Sequence, residues 1–127
     1  MAQGSTARRP VGYQVPYIRA HITGAEGPRT IKVGTIPAGS VLLRGTMAVA
    51  EEFNGTSPTA DIGTADDGDL FLSGGDIIDT KGIITITLIG DEKRIVAVDT
   101  DIYITLTGAN MNAGVGDLIL EFIPPDE

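Results

Sequence analysis

The chain contains no cysteine. That excludes a disulfide framework, a thiolate nucleophile and the Cys-rich type of zinc site, and it removes redox chemistry as a guide to compartment. Tryptophan is absent too, and three tyrosines and three phenylalanines make up the whole aromatic complement. A groove for glycoside hydrolysis, with paired acids and rings to stack sugar, has little to build on. There is one histidine, His21, so no second imidazole can share a metal with it, and no Ser stands in a G-x-S-x-G elbow. His21 is expected on a strand, facing solvent or an interface. No stretch approaches the run of about 18 apolar residues that a membrane helix needs. The segment from Met1 to Pro10 lacks the apolar core of a secretory signal, so the chain is expected to be soluble and made in the cytosol.

Basic residues are also scarce relative to acids, and the net charge is −8. Nucleic-acid binding draws on clustered Lys and Arg that release counterions from phosphates, so DNA and RNA are not expected partners. The charge is unevenly spread. Residues 1–35 hold five cations, Arg8, Arg9, Arg19, Arg29 and Lys32, against Glu26 alone, a net of +4 that leaves −12 for the remainder. Those five are the candidate contacts to an acidic partner surface.

A chain of 127 residues fits one domain able to bury a single core. Its dominant period is two, as expected where one face of a strand packs and the other does not. Ile84, Ile86 and Leu88 alternate with Thr85 and Thr87. Ile102, Ile104 and Leu106 alternate with Tyr103, Thr105 and Thr107, and Leu118, Leu120 and Phe122 with Ile119 and Glu121. Val41, Leu43, Met47 and Val49 share a parity around Gly45, which predicts one long strand bent at that glycine. Weaker strands are predicted over residues 15–23, 30–34, 69–72 and 94–98, set apart by turn chemistry at Gly24–Pro28, Asn54–Gly55 and Gly90–Glu92. About eight strands result, punctuated by 17 glycines and seven prolines, and helix is expected to be minor. The fold class is therefore all-β: an antiparallel β-sandwich with crossovers between the sheets, best satisfied by a jelly roll.

The other candidate motifs carry no chemistry. Asp61, Asp66, Asp67 and Asp69 gather carboxylates without the spacing of a calcium loop and read as a solvated acidic loop. Gly74-Gly75-Asp76 and Gly114-Val115-Gly116 are not followed by a helical pattern, so no helix N-terminus backs a phosphate cradle. No cofactor, no metal and no catalytic residue is expected. Residues 1–12 and 124–127 have no periodicity and read as extended N- and C-terminal arms around a sandwich over residues 13–123.

Three phrases carry a resemblance. The turn Thr35-Ile36-Pro37-Ala38-Gly39-Ser40, the long strand ending in Glu51-Glu52-Phe53-Asn54-Gly55, and Asp61-Ile62-Gly63-Thr64-Ala65-Asp66 resemble small structural proteins of tailed-phage virions, over roughly residues 30–110. The nearest in character are the jelly-roll cement or decoration proteins of phage capsids. The resemblance implies a non-enzyme on the capsid exterior, made in the host cytoplasm, that ties neighbouring major capsid subunits together. Its partners would be the major capsid protein and itself, as a dimer or trimer. Other readings are a tail, collar or head-fibre module, and a carbohydrate-binding jelly roll.

Overall fold

A computed structural model describes residues 16–125 of the chain. The described residues form eight strands, of which the fourth was not among the predicted segments: β1 (Tyr17–Thr23), β2 (Thr30–Ile36), β3 (Val41–Glu51), β4 (Thr56–Gly63), β5 (Leu72–Gly75), β6 (Gly82–Ile86), β7 (Thr100–Ala109) and β8 (Val115–Ile123). One turn of 3₁₀ helix over Asp91–Arg94 interrupts the long β6–β7 connection. None of the described helix is long and apolar enough to cross a membrane.

The strands form two antiparallel four-stranded sheets, ordered β1-β8-β3-β6 and β2-β7-β4-β5. Successive strands change sheet at every step except β4 to β5, which is the jelly-roll path. The inward residues of both sheets make one core, with Ile22, Met47 and Leu118 from the first and Ile62, Ile104 and Leu106 from the second all buried.

Crossing between sheets collects the connections at two ends. At one end lie the β1–β2, β3–β4, β5–β6 and β7–β8 loops. They are bound by the Gly24 N–H donating to the Gly114 carbonyl (2.9 Å), Phe53 N–H to Ile78 O (2.9 Å) and Asn54 N–H to Ala113 O (3.2 Å). Phe53 is buried against Gly114, whose φ is +138° and where an added Cβ would stand 2.4 Å from the Phe53 ring. Only glycine fits both that backbone and that approach.

At the other end lie the β2–β3, β4–β5 and β6–β7 loops. The β2–β3 turn is Pro37–Ser40, closed by Ser40 N–H to Pro37 O at 3.1 Å, with Gly39 at φ +86° in the third position. A positive φ there is what a type II turn demands. Pro125 lies over Gly39, so this part of the expected C-terminal arm rests on the sandwich.

Several sequence expectations change. Leu42, not Leu43, faces the core: the β3–β8 register shifts between Leu42 and Arg44, placing a bulge at Leu43 ahead of Gly45. The extra residue breaks the period, so Leu42 points inward on one parity and Met47 and Val49 on the other. Residues 94–98 are no strand; Ile95 makes an isolated bridge to Val41 after the 3₁₀ turn. The strand expected at 69–72 begins instead at Leu72. Asp61 belongs to β4, while Asp66, Asp67 and Asp69 follow in the loop. The N-terminal arm over residues 1–12 and the last two residues of the C-terminal arm lie outside the described residues.

Candidate interaction surface

Exposed aliphatic side chains gather at the end formed by the β2–β3, β4–β5 and β6–β7 connections. Val41 opens β3 there, with Ile123 of β8 as its register partner on one side and Ile95 bridged on the other. Ile95 is 63% exposed, Ile123 43% and Leu43 36%. Tyr17 stands opposite Glu121 one step up the same sheet, and Ile89 and Val98 extend the exposed set along the β6–β7 connection.

The backbone beneath these side chains is held in place. Gly39 N–H donates to Val96 O (2.7 Å), Val96 N–H to Ser40 O (3.0 Å) and Ile89 N–H to Phe71 O (2.8 Å). Ala38 N–H donates to Asp99 Oδ1 at 2.9 Å. Arg94 ties the 3₁₀ turn to the bulge, donating from Nη1 to Leu43 O and from Nη2 to Asp91 Oδ1, each at 3.0 Å. Beside Ile95, a shallow depression of about 360 Å³ is lined by Thr64, Leu70, Glu92, Lys93 and Thr100 among others. Exposed aliphatics on a pinned frame bury area on contact with little ordering cost.

The outer faces of the two sheets carry charge in matched pairs. On the first sheet, Asp117 accepts from Arg19 Nε (3.1 Å) and pairs with His21 Nδ1 (2.9 Å). Those bonds, that of Arg19 first, hold Asp117 below the usual carboxylate range, and the Arg19 guanidinium is raised in return. Arg44 pairs with Glu121 on the same face. On the second sheet, the Thr35 hydroxyl donates to Asp101 Oδ1 at 2.6 Å with Lys32 Nζ 3.4 Å from that oxygen, and Asp101 is lowered, chiefly by the hydroxyl. Two acid pairs sit in the loops. Asp69 raises Asp67 at the aliphatic end, and Asp79 raises Asp76 at the other, in each case mainly through the hydrogen bond between the two carboxyls.

A groove of about 350 Å³ runs beside His21 and Asp117, lined otherwise by Ala48, Val49, Ala50, Gly82, Ile83, Val115 and Gly116. No nucleophile is among these residues, so the imidazole–carboxylate pair has nothing to activate. Among the described residues no three His, Cys, Asp or Glu side chains converge on a metal position.

The candidate basic contacts do not come together. Arg19 stands on the outer face of the first sheet and Lys32 on that of the second. Arg29 lies at the Phe53 end, paired with Glu26 (3.0 Å) and donating to the carbonyl of Thr23 (2.9 Å). Arg8 and Arg9 lie outside the described residues. The exposed set of Leu43, Ile95, Val98 and Ile123 was missed in the sequence. The apolar residues at 94–98 were legible, but as an expected strand.

No protein-family model and no curated protein matches the chain by sequence. Solved structures match it in three dimensions. A chain of the cyanophage Pam1 capsid asymmetric unit is similar with a TM-score of 0.67 at 15% identity, covering 98% of this chain and 94% of that one. A chain in the capsid of Ralstonia phage GP4 gives 0.65 at 17% identity, covering 91% and 87%. The chain has the fold of phage capsid chains. A third example, from the acidic stable capsid of Helicobacter pylori bacteriophage KHP30, gives 0.60 at 12% identity over 87% of this chain and 88% of that one. What is shared at these identities is the fold, over most of the length of each chain.

Proposed function

We propose that this chain is a non-enzymatic virion structural protein that binds the outer surface of a phage capsid and stabilises it by bridging neighbouring major capsid subunits. The observation that carries this reading is the match of the whole sandwich to chains of three phage capsids. The aliphatic end around Ile95, Val98 and Ile123 supplies a docking surface, since exposed apolar groups gathered together mark contact sites. A standard interface of about 1,600 Å² reaches nanomolar affinity in favourable cases, and repetition over a shell adds avidity.

In this reading residues 13–123 form the rigid body, the 124–127 tail starts against it with Pro125 over Gly39, and residues 1–12 are an arm laid along the shell. Arg8 and Arg9, outside the described residues, would be contacts to capsid carboxylates. Arg19, Arg29 and Lys32 would first have to share or leave Asp117, Glu26 and Asp101. The protein would be made in the host cytoplasm and added to the capsid exterior.

The test is add-back. Purified protein is mixed with capsids lacking it, particles are imaged by electron microscopy, and copies are counted by gel densitometry. Regular occupancy across the outer shell is expected. Density restricted to a vertex or tail would replace cementing with a tail, collar or head-fibre role.

A further inference from the structure

The aliphatic end presents a row of apolar side chains on the outer face of the first sheet. Ile123 is the register partner of Val41, and Val41 is bridged to Ile95, so the three stand side by side, with Tyr17 one row further in. Ile95, Ile123 and Tyr17 are exposed, and Val41 is half-buried between them. The connections around this row are acidic. Asp66, Asp67, Asp69, Asp91, Glu92 and Asp99 lie in them against Lys93 and Arg94, and Arg94 is already paired with Asp91.

The chain enters the described body at this row. Pro16 O accepts from Phe122 N–H at 3.1 Å, beside Ile123, so residues 1–15 start from the patch itself. That segment carries Arg8 and Arg9 and no acid, and Val11, Tyr13 and Val15 share one parity in it. Its charge is opposite to that of the surrounding loops and its apolar side chains match the row. Pro10 and Pro16 bias the residues before them, Arg9 and Val15, toward extended backbone.

We infer that in the free chain residues 8–15 fold back as a strap across this row, with Val11, Tyr13 and Val15 on its aliphatic side chains and Arg8 and Arg9 over the acidic β6–β7 connection. Continuing the β1–β8 register past Tyr17 and Glu121 brings Val15 opposite Ile123. Pro124 and Pro125 have no N–H to extend that ladder, so the strap leaves β8 there and crosses the face. Ile95 lies three strand spacings away, about 14 Å, and the stretch from Val15 back to Arg9 spans about 20 Å when extended. The length suffices to cross the row and reach Glu92. A second copy is the poorer occupant, because each chain carries a net −8 and this end would meet its like. The cationic segment is tethered at the patch and so is always at high local concentration there. The inference does not depend on capsid binding; where the aliphatic end docks on a shell, the strap has to come off first.

The experiment is nuclear magnetic resonance of the free full-length chain carrying a nitroxide on Ala7→Cys, the chain having no cysteine of its own. Signals of Ile95 and Glu92 should lose most of their intensity, whereas those of Ile83, paired with Ala48 toward the other end of the sheet, should keep theirs. Tyr13→Ser should shift the methyl signals of the Ile95–Val41–Ile123 row, because an aromatic ring leaves them, with circular dichroism unchanged. Arg8→Glu with Arg9→Glu, and separately high salt, should each restore part of the lost intensity. Broadening centred on Pro16 and equal on both sheets, or a row indifferent to Tyr13→Ser, would overturn the inference. So would broadening passed from nitroxide-bearing chains to isotope-labelled chains without nitroxide in a mixture, which would make the occupant a second copy's segment. No capsid enters these measurements, so their failure leaves the add-back result standing, and the reverse holds as well.

Discussion

The two ends of this sandwich are both closed by loops, yet they treat their apolar side chains differently. At one end Phe53, Ile77, Ile78 and Met111 are buried, and the loops close over them. At the other, Phe71, Leu88 and Val96 go in while Ile89, Ile95, Val98 and Ile123 stay out. The first end stabilises the monomer by packing. The second is likewise closed by backbone hydrogen bonds but leaves aliphatic area exposed. In the proposed reading stability and binding fall to different ends, and substitutions can separate them.

The largest effect is expected at the packed end. Phe53→Ala should cost about 3–5 kcal/mol in urea unfolding, because the loops around it are bonded to one another and cannot collapse freely onto the cavity. Gly114→Ala should come close behind, since overpacking and an unfavourable positive φ each cost about 1–3 kcal/mol. If both variants unfold near the wild-type midpoint, the packed end is not what holds the monomer together.

Asn54→Ala tests the polar half of the same end. Asn54 Oδ1 accepts from the backbone N–H groups of Asn112 (2.8 Å) and Ala113 (2.9 Å), and its Nδ2 donates to Asn112 Oδ1 at 2.7 Å. Asn54 and Asn112 are exposed, so water replaces part of what is lost and the cost should be about 1 kcal/mol. Proteolysis or amide exchange near residues 110–114 should register the loosening first.

At the aliphatic end the signs part. Ile95→Ser with Val98→Ser should leave the unfolding midpoint within about 0.5 kcal/mol of wild type, as expected for exposed positions. Capsid affinity in the add-back assay should fall about tenfold or more, the loss typical of truncating a contact residue. Unchanged occupancy would move the docking surface elsewhere, with the sandwich itself unaffected.

The sequence made the alternation visible and hid its interruptions. Ile102, Ile104 and Leu106 are buried as their period predicts, because β7 lies inside its sheet and the bulge in its pairing with β2 falls at Val33, on the partner strand, so the period of β7 itself is kept. Leu43 is exposed because the bulge is fixed by pairing with Glu121 and Phe122, some eighty positions away, and nothing local marks it. Ile95 reads as a strand residue and behaves partly as one. β6 has already taken the same side of β3 from Gly45 to Val49, which leaves Ile95 a single bridge at Val41. The excess of basic residues in the first third of the chain was legible as charge. That Arg19 and Lys32 lie on opposite outer faces follows from topology, which no composition reveals.

The smallest effect separates packing from charge at the two ends. Each end carries one acid pair, Asp67 with Asp69 and Asp76 with Asp79, in which one carboxyl is raised. A carboxyl raised in the folded state binds its proton more tightly than in the unfolded chain, so stability rises as pH falls through the raised value toward the ordinary one of about 3.9. Asp101 and Asp117, on the outer faces, are lowered, and what they contribute is present above that ordinary value and lost as pH falls through their lowered ones. The melting temperature should therefore climb slightly from neutral pH into mild acid and drop below it. Asp69→Asn and Asp79→Asn should each flatten the climb by a similar amount, whereas Asp117→Asn should soften the drop. Equal responses would mean the ends differ in apolar packing alone; a climb abolished by only one of the two would show that their charge differs as well.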